Sequence, residues 1–485
     1  MTPLSKTNYI LWRECAKNAW LKIHKPEIYF ASELTDFEKQ IIETGNEVDE
    51  LARNILPNAE YQKKFEIDGF LAITDIFVED KVGVHVYEVK ATNEIDKKTH
   101  YHDLAFQVSV IEKSGLKVQS ANLIHLNAEY MRAGELDLKE LFTIENVTDL
   151  IREMLPEVEK EMQIAKDYLA GESEPKGPCS CIYKGRSNHC STFSYSNPNV
   201  PNYSVHDLAR IGLSKKKLTE LIDSGILHPH ELPESTELSD IQKNQIWTLV
   251  NDRTILSKEA IGEELESLEF PLYFLDYETF PAAIPRFSGY SPYQQIPFQY
   301  SLHVLTSLDA EPEHYDFLYT EQNDPSESFA KSLMGHIGPK GSVIVWHKSF
   351  ECNRNKEIGE RVPGSKKFFE EVNARTYDLE DIFKKQHYVH KDFKGSSSIK
   401  KILPVLAPTL SYSELEIKEG GTAAESWNRI ISTQGRTLST DSQGSTLDSG
   451  PALDTGKIAQ NLREYCKLDT YAMYAVWREL HKLIN

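Results

Sequence analysis

Apolar positions along the chain change their spacing several times, and each change predicts a different kind of element. Apolar side chains recur every three or four positions from 41 to 55, which predicts an amphipathic helix. The runs 70–78 and 82–89 have the pattern of strands, and the polar residues 79–81 between them predict a β-hairpin. Helical spacing returns at 104–111, so this first part of the chain mixes helices with strands.

The later part of the chain alternates more regularly. Apolar runs at 272–275, 298–305 and 343–346 predict strands, and helical spacing follows them to the end of the chain. Alternating strands and helices are typical of an α/β fold. Between the two parts, the sequence predicts a linker at 196–201 and short helices and turns over 203–260.

The length of the chain, 485 residues, exceeds that of one ordinary domain, so two or three domains are expected. We predict an α/β multidomain protein with a mixed domain over 1–197, a small helical bridge over 198–262 and an α/β domain over 268–485. Residues 432–457 are rich in Ser, Thr, Gly, Gln and Asp, and this composition predicts a mobile insert.

The composition fits a soluble globular protein, since 40% of the residues are hydrophobic and 26% are charged. No apolar run reaches the ~18–20 residues of a membrane span, and the N-terminus lacks the apolar core of a signal peptide. We therefore expect a cytoplasmic location and no membrane partner. The net charge of −20 argues against a passive nucleic-acid coat. It does not argue against a nuclease, because acids collected around metal ions make such chains acidic.

Two carboxylates close the predicted strand that begins at residue 272. Asp276 and Glu278 are two positions apart, so on a strand they share one face, and burying both is costly unless a cation lies between them. Tyr465 and Asp469 share a helix face, and Glu351 would add a carboxylate after the strand at 343–346. This pattern favours two metal ions ~4 Å apart with Tyr465 orienting a water molecule. Solvated acids at a strand end are the alternative.

The predicted hairpin carries a second candidate site. Asp75 lies on its first strand, and Glu88 and Lys90 share one face of its second strand. The two acids are suited to hold divalent ions, and Lys90 is suited to stabilise an attacking hydroxide or the pentavalent phosphate. A surface ion pair is the alternative interpretation of an acid-x-lysine pattern.

Cysteines form a third candidate site. Cys179, Cys181 and Cys190 lie close together in sequence, and Cys15 is the spare cysteine in the same half of the chain. Structural disulfides are improbable in a cytoplasmic protein, and four thiolates suit an iron–sulfur cluster or zinc. His189 is the substitute ligand if zinc is bound.

The hairpin site resembles the RecB-type PD-(D/E)XK nucleases, which show Asp, then Glu-x-Lys, then Gln-x-x-x-Tyr on the following helix. The matching residues are Asp75, Glu88, Lys90 and Gln107. Ile111 stands where that family usually has Tyr. Many members carry a metal-binding histidine four residues after a helix glycine, and Asp49 takes that position after Gly45.

The cysteine pattern resembles the iron–sulfur-stapled RecB-like exonucleases, including the CRISPR-associated ones. The resemblance implies a 4Fe-4S cluster on Cys15, Cys179, Cys181 and Cys190, with Zn²⁺ as the alternative. The C-x-C-x8-C spacing differs from the commoner arrangement in that family.

The C-terminal site resembles the DnaQ-type DEDD 3′–5′ exonucleases with an RNase H-like fold, in their tyrosine variant. The matching residues are Asp276, Glu278, Tyr465 and Asp469, and Glu351 stands where the family usually has Asp. Nearly the whole chain resembles an uncharacterised bacterial family that joins a RecB-like nuclease to a DnaQ-like domain.

The resemblances imply a nuclease that uses Mg²⁺ or Mn²⁺, with DNA favoured as the nucleic acid and RNA as the second possibility. Protein partners are unknown at this level, and DNA repair or defence against phage would each fit. A different class of function is the alternative: a catalytically degenerate protein that binds nucleic acid or acts as a scaffold. Lys90 and Tyr465 argue against this alternative, because neither is needed merely to bind a metal.

Overall fold

A computed structural model describes residues 2–30, 36–436 and 454–485. The chain divides into two compact units. Unit 1 comprises Met1–Glu231 and Ala283–Gln294, and unit 2 comprises Leu232–Ala282 and Gln295–Asn485. The expectation of a multidomain α/β protein is confirmed, and the three-part boundaries at 197 and 262 stay predictions.

Unit 1 contains six strands and nine α-helices within its described residues. The strands are β1 (Leu4–Ser5), β2 (Glu60–Ile67), β3 (Phe70–Glu79), β4 (Val84–Lys90), β5 (Val118–Leu126) and β6 (Phe142–Asn146). The helices are α1 (Lys6–Glu14), α2 (Ala16–His24), α3 (Pro26–Tyr29), α4 (Asp36–Arg53), α5 (His100–Lys113), α6 (Leu138–Leu141), α7 (Thr148–Ala170), α8 (Phe193–Ser196) and α9 (Lys215–Asp223).

The sheet of unit 1 is mixed, with β3 at its centre. β3 pairs in parallel with β1 and antiparallel with β2 and β4, while β4 continues the sheet in parallel with β5 and then antiparallel β6. The predicted hairpin is confirmed, since Val78 pairs with His85 in an antiparallel register. Its turn is held by Asp80, whose Oδ1 accepts hydrogen bonds from the backbone N–H groups of Val82 and Gly83.

The core of unit 1 places the predicted helix α5 against the sheet. Leu104, Phe106 and Val110 of α5 are buried in one hydrophobic cluster with residues of β3 and α7. The aromatic ring of Tyr9 on α1 stacks on Phe106 with ring centres 5.2 Å apart. These contacts fix α1 and α5 beside the hairpin that carries the first candidate site.

Unit 2 contains seven strands and nine α-helices within its described residues. The strands are β7 (Ile255–Leu256), β8 (Leu272–Pro281), β9 (Gln295–Leu305), β10 (Glu313–Leu318), β11 (Val343–Val345), β12 (Thr376–Asp378) and β13 (Tyr388–Val389). The helices are α10 (Asp240–Asn251), α11 (Lys258–Glu266), α12 (Ser326–His336), α13 (Lys348–Arg361), α14 (Lys366–Ala374), α15 (Asp381–Lys384), α16 (Ile399–Leu406), α17 (Gly420–Arg436) and α18 (Thr455–Ile484).

The main sheet of unit 2 has the strand order β10-β9-β8-β11-β12. Its first three strands are antiparallel, and β11 and β12 extend the sheet in parallel with β8. Consecutive residues of β8 enter different cores: Phe274 packs with Trp477 of α18, and Leu275 packs with Phe329 of α12. Helices therefore cover both faces, which explains why β8 is continuously apolar before Asp276.

The predicted insert at 432–457 is partly helical in the structure. Residues 432–436 end α17, and α18 begins at Thr455 with Asp454 as its cap, whose Oδ1 accepts a hydrogen bond from the N–H group of Lys457. The rest of that prediction, 437–453, lies outside the described residues. Among the described helices, none combines the length and the apolarity that crossing a bilayer requires.

Candidate functional site

The four predicted cysteine ligands come together in unit 1. Cys15 lies at the junction of α1 and α2, and Cys179, Cys181 and Cys190 lie in the segment after α7 that contains two short 3₁₀ turns. All four Sγ atoms lie within 4.8 Å of one another. We call these four residues the cysteine cluster.

The surroundings of the cysteine cluster favour the thiolate at Cys179, whereas the neighbouring cysteines raise the pKa values of Cys181 and Cys190. The side-chain amide of Asn197 donates a hydrogen bond to Cys179 Sγ at 3.1 Å. Hydrogen bonds from Cys15 and the two other cysteines lower the pKa of the Cys179 thiol. A buried set of four sulfur donors fits either a metal ion or an iron–sulfur cluster, and the donor set does not distinguish them.

His189, the predicted substitute ligand, lies outside the four-sulfur group. Its ring stacks on Phe193 with ring centres 3.4 Å apart, and its Nε2 lies 3.1 Å from the carbonyl oxygen of Lys184. Burial lowers its pKa to about 4, so the imidazole is neutral near pH 7. Because four cysteines already supply a tetrahedral set, a histidine ligand is not required.

The second group of side chains in unit 1 is the first acid cluster: Asp75, Glu88 and Asp103 with Lys6 and Lys90. β3 supplies Asp75, β4 supplies Glu88 and Lys90, and α5 supplies Asp103. Lys90 Nζ lies 2.7 Å from Glu88 Oε1 and 2.5 Å from Asp103 Oδ2. The structure therefore brings Asp75, Glu88 and Lys90 together as predicted and adds a third carboxylate.

Gln107, predicted from the resemblance, also lies in this cluster. Its side-chain amide donates hydrogen bonds to Glu88 Oε2 at 2.6 Å and to Asp103 Oδ1 at 3.2 Å. Asp103 and Gln107 are four positions apart on α5 and so share one helix face. Ile111, one turn further along α5, is fully buried in the core. Its apolar side chain packs in the hydrophobic core of unit 1.

Asp75 and Glu88 of the first acid cluster have opposite pKa shifts. Burial and the neighbouring Glu88 raise the pKa of Asp75 to about 8, although the backbone N–H of Val89 donates a hydrogen bond to its Oδ2 at 2.9 Å. Burial also opposes ionisation of Glu88, yet Lys6 and Lys90 together hold its pKa well below the usual range. Lys6 and Lys90 thus keep Glu88 ionised, and Asp75 holds a proton more readily.

Asp49, the weaker predicted ligand, lies at the edge of this cluster. It forms a salt bridge with Arg53 one turn along α4. The Gln62 side-chain amide lies 3.4 Å from both Asp49 Oδ2 and Asp75 Oδ1, which links the two acids through an amide. Asp49 Oδ1 is buried and makes no hydrogen bond within the described residues. That unsatisfied oxygen is compatible with a ligand role, although Arg53 already balances its charge.

The second acid cluster, in unit 2, consists of Asp276, Glu278, Glu351 and Asp469. β8 supplies Asp276 and Glu278, α13 supplies Glu351, and α18 supplies Asp469. Burial raises the pKa values of Asp276, Glu278 and Glu351, and repulsion from other carboxylates of the cluster adds to the effect. Cys466 Sγ and oxygens of Asp276 and Glu278 lie within 4.8 Å of one another.

Electrostatics in the second acid cluster differ from those in the first. Burial and the neighbouring carboxylates raise the pKa values of Asp276, Glu278 and Glu351 well above their usual range. Burial raises the pKa of Asp469 to about 6. Glu351 Oε2 is buried and makes no hydrogen bond within the described residues. Buried carboxylates with an unsatisfied oxygen fit a divalent cation, because a cation would supply both the missing charge and the missing partner.

Two tyrosines flank Asp469. The predicted Tyr465 lies one turn before it on α18, and burial raises the Tyr465 pKa, so its hydroxyl keeps its proton. Tyr412, which the sequence patterns did not identify, donates a hydrogen bond from its hydroxyl to Asp469 Oδ1 at 2.6 Å. Lys400 Nζ lies 5.6 Å from the ring centre of Tyr412 and 5.9 Å from that of Tyr465. Lys400 therefore brings positive charge to the rim of this cluster.

Sequence patterns missed three residues of these clusters for different reasons. Asp103 had a signal, because it precedes Gln107 by four helical positions. Lys6 and Tyr412 had none, because they contact Glu88 and Asp469 across 82 and 57 positions of the chain. Only the folded chain brings such distant positions together.

The family and the relative to which this chain is similar have names that state no activity. Residues 273–398 match the family described as "Domain of unknown function (DUF2779)". That match contains Asp276, Glu278 and Glu351 and ends before Tyr465 and Asp469. The chain is also 25% identical over 260 residues to "Uncharacterized protein UU173" of Ureaplasma parvum serovar 3. The alignment covers 49% of this chain and 35% of that relative, so the chain spans about a third of the relative's length.

Proposed function

We propose that this protein is a metal-dependent nuclease that hydrolyses phosphodiester bonds of nucleic acid, with DNA favoured, at two potential sites. The observation that carries the proposal is the convergence of four carboxylates beside Tyr465 in unit 2, of which Glu278 and Glu351 are buried and Asp276 and Asp469 are partly buried. Such a set is costly to bury without cations, and the raised pKa values of Asp276, Glu278 and Glu351 express that cost.

The second acid cluster has the donor set for Mg²⁺ or Mn²⁺. Its carboxylates Asp276, Glu278, Glu351 and Asp469 would hold the ions. When bound, such ions polarise a phosphodiester and favour deprotonation of water. Tyr465 keeps its proton and would orient the attacking water, and Tyr412 would hold Asp469 in place through its hydrogen bond.

The first acid cluster supplies a second potential site of the same chemical class. Asp75, Glu88 and the peripheral Asp49 are its candidate ligands, and Gln107 orients Glu88 by donating to Oε2 at 2.6 Å. Lys90 carries a permanent positive charge, since its carboxylate neighbours raise its pKa against the effect of burial. That charge is suited to stabilise the developing charge on a phosphate.

The folds give further support to the two resemblances. A hairpin with Asp75 on one strand and Glu88 and Lys90 on the next, followed by helix α5, is compatible with a PD-(D/E)XK nuclease. Three antiparallel strands extended by two parallel ones, with Asp276 and Glu278 within the middle strand, are compatible with an RNase H-like exonuclease. Exonucleolytic rather than internal cleavage rests on the DnaQ-type resemblance.

The cysteine cluster is proposed as a structural staple. Cys15 and the segment 179–190 are far apart in sequence, so one bound centre would tie the start of unit 1 to its end. Four thiolates suit a 4Fe-4S cluster, which the resemblance favours, or Zn²⁺. Either centre would add its binding free energy to the stability of unit 1.

The testing experiment is anaerobic purification with metal analysis and an absorbance spectrum, followed by cleavage of end-labelled single- and double-stranded DNA and RNA with Mg²⁺ or Mn²⁺. Asp75→Asn and Asp276→Asn test the two sites separately, and the double variant tests whether they account for all activity. Asp309→Asn on an exposed turn of unit 2 is the matched control. We expect stepwise shortening from one end, lost in the double variant and retained in the control.

Two results would contradict the proposal. Activity that persists in the double variant would place the chemistry elsewhere. Metal-replete protein that binds nucleic acid without cutting it would favour a binding or scaffold protein, the alternative class. Brown protein containing iron and sulfide would support a 4Fe-4S cluster as the staple. Colourless protein with stoichiometric zinc would support Zn²⁺ instead.

A further inference from the structure

Lys6 is the one residue of the first acid cluster that comes from outside the hairpin and α5. Its backbone is tightly held, because β1 pairs in parallel with β3 through Leu4 and Ser5. Ser5 then caps α1, with its Oγ accepting a hydrogen bond from the N–H group of Asn8 at 3.3 Å. Lys6 therefore starts α1 at a fixed place beside the strand that carries Asp75.

The ammonium group of Lys6 joins the cluster directly. Nζ lies 2.5 Å from Glu88 Oε1, the same oxygen that Lys90 Nζ contacts at 2.7 Å, and 3.4 Å from Asp103 Oδ1. Lys6 and Lys90 thus alternate with Glu88 and Asp103 in a closed ring of opposite charges. The ring holds two ammonium groups and two carboxylates, so its charges balance until a cation takes an oxygen of Glu88.

Asp103 gives the ring a second anchor. It contacts both lysines, and it receives a hydrogen bond from Gln107 at 3.2 Å. If Glu88 turns its oxygen to a cation, Asp103 still holds both ammonium groups in place. The two ammonium groups would then be available to bind another anion. In a phosphodiester hydrolase that anion is the phosphate of the substrate.

We propose that Lys6 is a second phosphate-binding cation of the first site, with Asp103 as the residue that positions it. This assignment rests on the proposed nuclease function and adds a residue to it. The side chain of Lys6 is 22% exposed, so an incoming phosphate can reach it without the cluster opening. Lys6 and Lys90 would bind two oxygens of one phosphate or the phosphates of adjacent nucleotides.

The test compares Lys6→Met and Lys6→Arg with Lys113→Met, a control lysine of α5 whose Nζ lies 3.4 Å from Glu159 outside the cluster. All variants carry Asp276→Asn, so that cleavage reports the first site. Binding of short end-labelled single-stranded DNA is measured in Ca²⁺ over a series of salt concentrations, and cleavage is measured in Mg²⁺. Thermal unfolding without nucleic acid is the stability readout.

We expect Lys6→Met to weaken binding about tenfold and to reduce the slope of log affinity against log salt by about 0.7, the value for one phosphate contact on a single strand. Lys6→Arg is expected to keep the slope, because it keeps the charge. A purely structural lysine would lower the unfolding temperature without changing that slope. An unchanged slope in Lys6→Met, or the same loss in Lys113→Met, would overturn the assignment.

Failure of the proposed function gives a different pattern. If the parent protein neither binds nor cuts DNA with any of these metal ions, the nuclease proposal and the Lys6 assignment are both wrong. If the parent protein binds and cuts while Lys6→Met matches Lys113→Met, only the Lys6 assignment is wrong.

Discussion

In the first acid cluster the buried Glu88 lies between two lysine ammonium groups, whereas the second cluster gathers four carboxylates whose close neighbours are tyrosines. The pKa of Glu88 is accordingly lowered, and those of Asp276 and Glu278 are raised. The same residue type is thus stabilised as an anion in one unit and destabilised as an anion in the other. The difference teaches that lysines in direct contact balance Glu88 in the first cluster, whereas the second cluster has only Lys400 at its rim and depends more on protons or added cations.

Replacing Asp276 by Asn gives the largest expected effect. We expect nuclease activity of the second site to fall about a thousandfold, because a ligand and its charge are lost. The metal-free protein should become more stable by about 1 kcal/mol near pH 8, because one buried and repelled charge disappears. Cleavage assays and chemical denaturation measure the two effects, with Asp309→Asn as the control. Loss of stability in the metal-free Asp276→Asn variant would contradict the contrast between the two acid clusters.

Replacing Glu88 by Gln should have the opposite effect on stability. The change leaves Asp103 as the remaining carboxylate in contact with both Lys6 and Lys90, and breaking a buried ion pair from one side costs about 3 kcal/mol. Denaturation of metal-free protein measures this cost. Glu79→Gln at the exposed end of β3 is the matched control and should stay within about 0.5 kcal/mol of the parent protein. Unchanged stability in Glu88→Gln would show that the lysines do not need this carboxylate.

The pH dependence of metal binding should separate the clusters further. Asp469, with a pKa of about 6, must lose its proton before it binds a cation, and the other three carboxyl groups also have raised pKa values, so Mn²⁺ affinity at the second site should fall at least about tenfold per unit as pH drops below 6. Isothermal titration of the Asp75→Asn variant measures that site. The same raised pKa means that metal-free stability falls as pH rises from about 4, the unfolded value, to about 6. A pH-independent Mn²⁺ affinity would contradict the assignment of Asp469.

Removing one tyrosine hydroxyl should give the smallest effect. Tyr412→Phe deletes the hydrogen bond to Asp469 Oδ1, which is worth about 1 kcal/mol, so we expect activity of the second site to fall about fivefold. Without that hydrogen bond the pKa of Asp469 should rise, because Tyr412 stabilises its ionised form. Tyr471→Phe on α18 is the control. If the two variants cleave DNA equally well, Tyr412 does not position Asp469.

Local pattern predicted much of the two units because it reports local geometry. The hairpin of β3 and β4, helix α5 and the strand β8 that carries Asp276 all follow from the spacing of apolar residues and from a polar turn. The two-residue repeat of a strand also placed Glu88 and Lys90 on one face of β4. The helical repeat placed Tyr465 and Asp469 on one face of α18. Those relationships need only the repeat of a strand or a helix.

The sequence by itself therefore determined which acids share a strand face or a helix face and that four cysteines were available as ligands, but it ended the strand of Asp276 too early, because β8 continues to Pro281. Tertiary structure alone decided that Lys6 reaches Glu88, that Tyr412 reaches Asp469 and that His189 stays outside the cysteine cluster. It also decided the opposite pKa shifts, because burial and charge depend on neighbours from distant parts of the chain. The repeat of a strand or helix determines the face on which a side chain lies, and only tertiary packing determines which residues it contacts.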